Sequence, residues 1–142
     1  MRILAIDYGD ARTGVAVSDP TGLLAGYTEV IPSRKPQAVL DRLAQLVREQ
    51  GVEEVLMGFP RNMDGTEGPR AELYRAFAQQ VEEATGLAVT LWDERRTTVE
   101  AHAILHAGGK REKQHRKNVD AVAASLILEG YLTYRRNRKE EA

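Results

Sequence analysis

The sequence predicts one α/β domain over residues 1–142. Its core is a five-stranded mixed sheet, three antiparallel strands followed by two parallel crossovers, flanked by helices. Three observations carry that expectation. Apolar runs at residues 3–6 and 13–18 are joined by a short turn, and after the turn signal at residues 19–22 a third strand covers part of residues 25–31, as in a meander. From Pro36 the apolar residues change to a helical period. Strand and helix patterns then alternate, and connections of that length imply right-handed parallel crossovers.

The first strand, Ile3 to Ile6, is an unbroken apolar run and so suits burial on both faces. It stops on Asp7. Residues 8–12 form a short turn with Gly9 and Asp10, and the run from Thr13 to Ser18 returns as the second strand. Asp19-Pro20-Thr21-Gly22 is a strong turn signal before the third. Between Pro36 and Gln50, Val39, Leu40, Leu43, Leu46 and Val47 repeat at the spacing of one helical face. Gly51 is placed to end that helix in a left-handed conformation. Residues 55–59 form the fourth strand, ahead of a polar, turn-rich stretch over residues 60–68.

Pro69 suits the first turn of a second helix, in which Leu73, Phe77, Val81 and Ala84 recur and which Gly86 closes. Residues 88–92 make the fifth strand and lead into Asp93-Glu94. Thr97 or Thr98 caps a further helix that stops at Gly108-Gly109. A basic loop spans Lys110 to Lys117, Asn118 caps a last helix from Val119 to about Tyr134, and a charged tail follows.

Composition narrows the function classes. There is no cysteine, which excludes a disulfide framework and a thiolate metal site and fits a reducing cytoplasm. No apolar run is long enough for a helical membrane span, and Arg2 leads straight into a core strand rather than a signal peptide. Formal net charge is −1, so nucleic-acid binding has to come from a local patch.

In a parallel arrangement the carboxyl ends of strands one, four and five share one crevice. Asp7 and the pair Asp93-Glu94 then become neighbours. Asp120, in the first turn of the last helix, arrives at the same edge if that helix packs in the expected sense. Unpaired carboxylates repel, so such a group commonly holds a cation. Oxygen ligands alone suit Mg²⁺ or Mn²⁺. Two such ions about 4 Å apart stabilise the attacking and leaving oxygens of phosphodiester cleavage. Singly, each acid also has a plainer role, in a turn, a helix dipole or a surface ion pair.

The basic stretch Lys110, Arg111, Lys113, Arg116 and Lys117, opposed only by Glu112, is suited to wrapping phosphates. His102 and His106 have the spacing of a metal pair but lack the glutamate of a zincin. No Walker loop, dinucleotide fingerprint or Ser-His-Asp order stands out.

Four blocks in order resemble one known family. They are Ile6-Asp7-Tyr8-Gly9 with Arg12 to Asp19, Gly58 to Pro69, Asp93 to Ala101, and Val119 to Ala124 with Leu126-Ile127-Leu128. Together they resemble the YqgF/RuvX family, which is related to the RuvC Holliday junction resolvases. The resemblance implies a ribonuclease H-like fold and a metal-dependent nuclease, with pre-16S ribosomal RNA or Holliday junctions as substrate. It implies Asp7, the acidic group at Asp93-Glu94 and Asp120 as metal ligands. Strand phase decides between Asp93 and Glu94, and Glu94 is preferred. It also implies Arg12, Asn62 and Arg95 as contacts to the scissile phosphate or its neighbours. Two positions depart from the family pattern: Ala11-Arg12 stands where Lys-Arg is frequent, and Arg96 where an apolar or aromatic residue is frequent.

The expected function is therefore an endonuclease on structured RNA or branched DNA, most simply in pre-16S rRNA processing, with junction resolution as the alternative. A resolvase cuts two strands symmetrically and so calls for a homodimer. A reading from another class is a non-catalytic assembly factor that binds nucleic acid. An actin-like nucleotide lobe is a further idea, but that architecture needs two lobes and the chain has length for one.

Overall fold

In the computed structural model the described residues are 1–22, 25–60, 65–93 and 113–141; within the last helix side chains are described for residues 122–138. The strands are β1 (Arg2–Asp7), β2 (Arg12–Ser18), β3 (Ala25–Pro32), β4 (Val52–Phe59) and β5 (Val89–Asp93). The helices among the described residues are α1 (Pro36–Gln50), α2 (Ala71–Thr85) and α3 (Lys113–Glu141). The sheet order is β3-β2-β1-β4-β5. β1 pairs antiparallel with β2 and parallel with β4, β2 pairs antiparallel with β3, and β4 pairs parallel with β5. The mixed five-stranded sheet is the architecture the sequence predicts.

β1 is central, which explains its unbroken apolar run. Leu4 and Ile6 enter the core shared with α1 and α2. Ile3 and Ala5 enter the opposite core, beneath α3. All four are essentially inaccessible to solvent. Successive strand residues face opposite sides, so a strand buried on both must be apolar throughout.

α1 buries Val39, Leu40, Leu43 and Leu46 and ends at Gly51, whose φ of 65° is left-handed. α2 ends likewise at Gly86. Its buried stripe is Ala71, Tyr74, Phe77, Ala78 and Val81, whereas Leu73 is 46% exposed. The phase therefore differs from a stripe through Leu73: Tyr74 and Phe77 take the inner positions because both rings close on Tyr8.

The last helix corrects the sequence reading. Lys113, Arg116 and Lys117 are helical rather than part of a loop, Asn118 lies inside α3 rather than at its cap, and residues 135–141 continue the helix. Residue 120 thus stands two turns within α3, not in its first turn. The predicted helix between Thr97 and Gly108 lies outside the described residues, as do Asn62, Glu94, Arg95, Lys110 and Arg111. No helix among the described residues is long and apolar enough to cross a membrane.

Candidate active site at the carboxyl edge of the sheet

Asp7 closes β1 and is half-buried. Strand phase puts it with Ile3 and Ala5, on the face covered by α3. Its neighbour across the antiparallel pair is Gly14, which has no side chain to fill the space beside the carboxylate. Arg12 lies two residues further along β2 in the same phase, so its Cα is roughly 8 Å from that of Asp7 by strand geometry. Arg12 itself pairs with Pro32 on β3.

The turn that joins Asp7 to Arg12 is held from three sides. The Ser33 hydroxyl donates to the Gly9 carbonyl at 2.6 Å, and the Ser33 N–H donates to Ala11 O at 2.9 Å. The Tyr74 hydroxyl donates to Tyr8 O at 2.9 Å. Arg70 grips Asp10 through both guanidinium nitrogens, at 2.8 and 3.2 Å. That bond, then the charge of Arg70, holds the Asp10 carboxyl below the ordinary carboxylate range. The Tyr8 ring stacks on Phe77 with centroids 4.0 Å apart and meets Tyr74 edge-on at 5.5 Å. Gly9 is required in this turn: a Cβ there would stand 2.3 Å from Arg12 O. Asp7 and Arg12 are therefore fixed by one rigid turn, as preorganised chemistry demands.

Asp93 ends β5, two strands from β1, and pairs with Phe59. Trp92 is buried in the core under α3, while Val89 packs on the α1/α2 side. Asp93 shares the phase of Val89, so it belongs to the face opposite Asp7.

α3 runs back along β1. Near the amino end of β1, Glu54 stands beside Ile3 and accepts hydrogen bonds from Tyr131 at 2.5 Å and Arg135 at 2.9 Å. Ala124, Ile127 and Leu128 pack with Ile3 and Ala5. From Leu132 back to residue 120 is about 18 Å of helix, and from Ile3 to Asp7 is about 13 Å of strand. The helix is therefore long enough to cover the length of β1. The side chains of Asp120, Lys113, Arg116 and Lys117 lie outside what is described.

Sequence reasoning missed the groups that hold the turn. Ser33 and Tyr74 carry no motif signal, because their partners are backbone carbonyls far away in the chain. It also passed over Arg34 and Lys35. Two cations directly before a helix that starts on proline, with no acid in its first turn, were a readable sign of an electropositive helix end.

An antiparallel β1–β2–β3 meander joined to parallel β4 and β5, with helices on both faces of the sheet, is a fold of the ribonuclease H-like class. Thermus thermophilus RuvC in complex with Holliday junction substrate matches at a TM-score of 0.61 and 15% identity, over 94% of this chain and 96% of that one. The fowlpox virus Holliday junction resolvase matches at 0.55 and 15%, over 94% and 99%. These likenesses show the fold.

Residues 1–134 match the RuvX family, described as Holliday junction resolvase, and the chain belongs to that nuclease family. A relative from Halothermothrix orenii, named "Putative pre-16S rRNA nuclease", is 44% identical over 94% of this chain and 96% of its own length. One of the same name from Moorella thermoacetica is 46% identical over 93% and 94%.

Proposed function

We propose that the chain is a divalent-metal-dependent endonuclease that cleaves structured nucleic acid, with the precursor of 16S rRNA as its substrate and the cytoplasm as its place of work. The observation that supports this most is the placement of Asp7: a half-buried carboxylate at the carboxyl end of the central strand, on the face that α3 crosses, fixed by a rigid turn. The names of the relatives supply the substrate.

Asp7, Glu94 and Asp120 are the proposed metal ligands. The phase of β5, which gives Asp93 to the opposite face, favours Glu94 over Asp93. Three carboxylates in a chain without cysteine suit Mg²⁺ or Mn²⁺. A bound ion of this kind activates water and offsets charge on the leaving oxygen. The protein's own part is to hold the phosphate in place. Arg12 is fixed to the same turn as Asp7 and supplies positive charge beside it, and Asn62 and Arg95 are proposed to extend that contact. Lys110, Arg111, Lys113, Arg116 and Lys117 are proposed to draw in the flanking backbone.

A second reading, resolution of four-way DNA junctions, is favoured by the family description. It requires a twofold dimer. One experiment tests both: labelled pre-16S rRNA ends and four-way DNA junctions are incubated with wild type and Asp7→Asn, in Mg²⁺, Mn²⁺ or chelator. RNA cleavage that needs metal and Asp7 supports the proposal, and junction cleavage alone transfers it to DNA. Tight binding without cleavage of either would replace it with an assembly factor.

A further inference from the structure

Beside the proposed catalytic edge lies a basic pocket of about 500 Å³, lined by Ala11, Arg12, Val30, Pro32, Arg34, Lys35 and Ala38. It sits where β2 begins, β3 ends and α1 starts, one strand outward from Asp7. Arg34 and Lys35 are exposed and Arg12 is half-buried. None of the three forms a side-chain hydrogen bond or ion pair with a described residue, whereas Arg42, Arg70, Arg75 and Arg135 are all paired with carboxylates.

The start of α1 adds to that charge. Lys35 is its N-cap residue and makes no side-chain cap bond, Pro36 opens the helix, and its first turn has no acid. α2, in contrast, carries Glu72 in its first turn. Pro36 has no N–H and the Ala38 N–H already donates to Lys35 O at 3.0 Å, so what this uncapped, acid-free end adds is the positive end of the helix dipole. Among the described residues the remaining walls, Val30, Pro32 and the two alanines, are aliphatic. The pocket's polar side chains are all cations, which suits a phosphate, and the lining holds none of the amides or carboxylates that read adenine or cytosine.

We infer that this pocket binds the phosphodiester backbone of a nucleic-acid arm that leaves the cleavage site across the β3 side of the sheet. The inference rests on the nuclease reading for its orientation. Arg12 links the two places: its phase is that of Asp7, and it also lines the pocket. Pro32, opposite Arg12, is two strand spacings across and two residues along from Asp7, about 12 Å in all. That is a reach of a few nucleotides, given a rise of about 3.4 Å per nucleotide along one strand. The contact is to backbone, so it distinguishes duplex arms by position and not by sequence.

The test is binding, which does not depend on cleavage. Labelled 20-base-pair RNA and DNA duplexes and a four-way junction are titrated by anisotropy over a range of KCl. Asp7→Asn serves as the background, Arg34→Gln/Lys35→Gln as the variant, and Arg48→Gln, at the other end of α1, as the charge control. Each lost phosphate contact lowers the salt slope by about one. The double variant is expected to lower it by about two and to bind roughly tenfold more weakly at moderate salt, alike for every sequence. Arg48→Gln is expected to leave both values near the background. A similar loss on RNA and DNA supports a backbone contact, and a loss on one alone assigns the arm to that nucleic acid. Unchanged slope and affinity in the double variant, or an equal loss in Arg48→Gln, would overturn the pocket. Cleavage by wild type is scored separately: no metal-dependent cutting defeats the nuclease reading, while cutting with unchanged binding in the double variant defeats only the pocket.

Discussion

Tyr74 on α2 holds the backbone carbonyl of Tyr8, the residue that follows Asp7, with a hydrogen bond of 2.9 Å across 66 residues of chain. The bond ties the end of the central strand to a helix on the other face of the sheet. Tyr74→Phe keeps the ring that meets Tyr8 and removes the hydroxyl that donates to Tyr8 O and stands beside the Arg70 guanidinium. We expect a stability loss of about 1 kcal/mol, the usual worth of such a bond. Small misplacements at a reacting centre are costly, so single-turnover cleavage should slow by roughly tenfold with little change in nucleic-acid affinity. Urea unfolding and rapid-mix cleavage check the two effects, and unchanged cleavage would mean that the turn holds Asp7 without this bond.

Gly9→Ala is a harsher change at the same turn. The new Cβ would meet backbone, Arg12 O at 2.3 Å, so no side chain can move aside to admit it. Overpacking of this kind costs about 1–3 kcal/mol. The shift falls between Asp7 and Arg12, so cleavage and phosphate affinity should drop together. A melting temperature equal to wild type would contradict the packing given for this turn.

Much of this fold was legible because its signals are local. The period of α1 and its glycine stop read directly from Val39 to Gly51, and β1 declared its two buried faces by having no polar residue between Ile3 and Ile6. α2 was harder, since Leu73 and Tyr74 both fit an amphipathic pattern. What separates them is tertiary: Tyr8 stacks on Phe77 and draws Tyr74 inward. The start of α3 was misread because Asn118 looks like a cap, yet the chain is already helical from Lys113. Asp7 stood out because it ends an apolar run. Ser33 did not, because a serine bonded to a carbonyl 24 residues away leaves no pattern in the chain.

The edge strand β3 is tied to α1 by a carboxylate cluster with a predictable acid limb. Arg42 donates to both oxygens of Glu29, at 2.6 and 2.7 Å, and Tyr27 donates to the same group. The Arg42 bond is the main cause that lowers the Glu29 pKa, against the opposing effect of burial. A carboxylate depressed on folding stabilises the native state above its unfolded pKa, here 4.5, and that stability is lost as pH falls through the lower folded value. Urea midpoints should therefore decline below pH 4.5 in wild type and decline less in Glu29→Gln. Parallel acid limbs in the two proteins would show that Glu29 carries no such linkage.

A second cluster titrates in the opposite direction and reports on α3. Burial first, and then the bond to Glu54, push the Tyr131 hydroxyl up to about 12 from an ordinary 10.0. Its neutral form is favoured in the native state. The linked stability is present below pH 10.0 and is lost as pH rises toward about 12. Tyr131→Phe should remove that alkaline limb. Glu54→Gln should only reduce it, because burial remains, and should cost about 1–2 kcal/mol through the lost bond to Arg135. Trp92, the chain's single tryptophan, lies edge-on to Tyr131 at 5.5 Å, so its fluorescence follows the docking of this helix. In Glu54→Gln the Trp92 signal should weaken, and, on the proposed placement of Asp120 at the sheet edge, cleavage should weaken with it. Weakened Trp92 packing with undiminished cleavage would separate the anchor from the site.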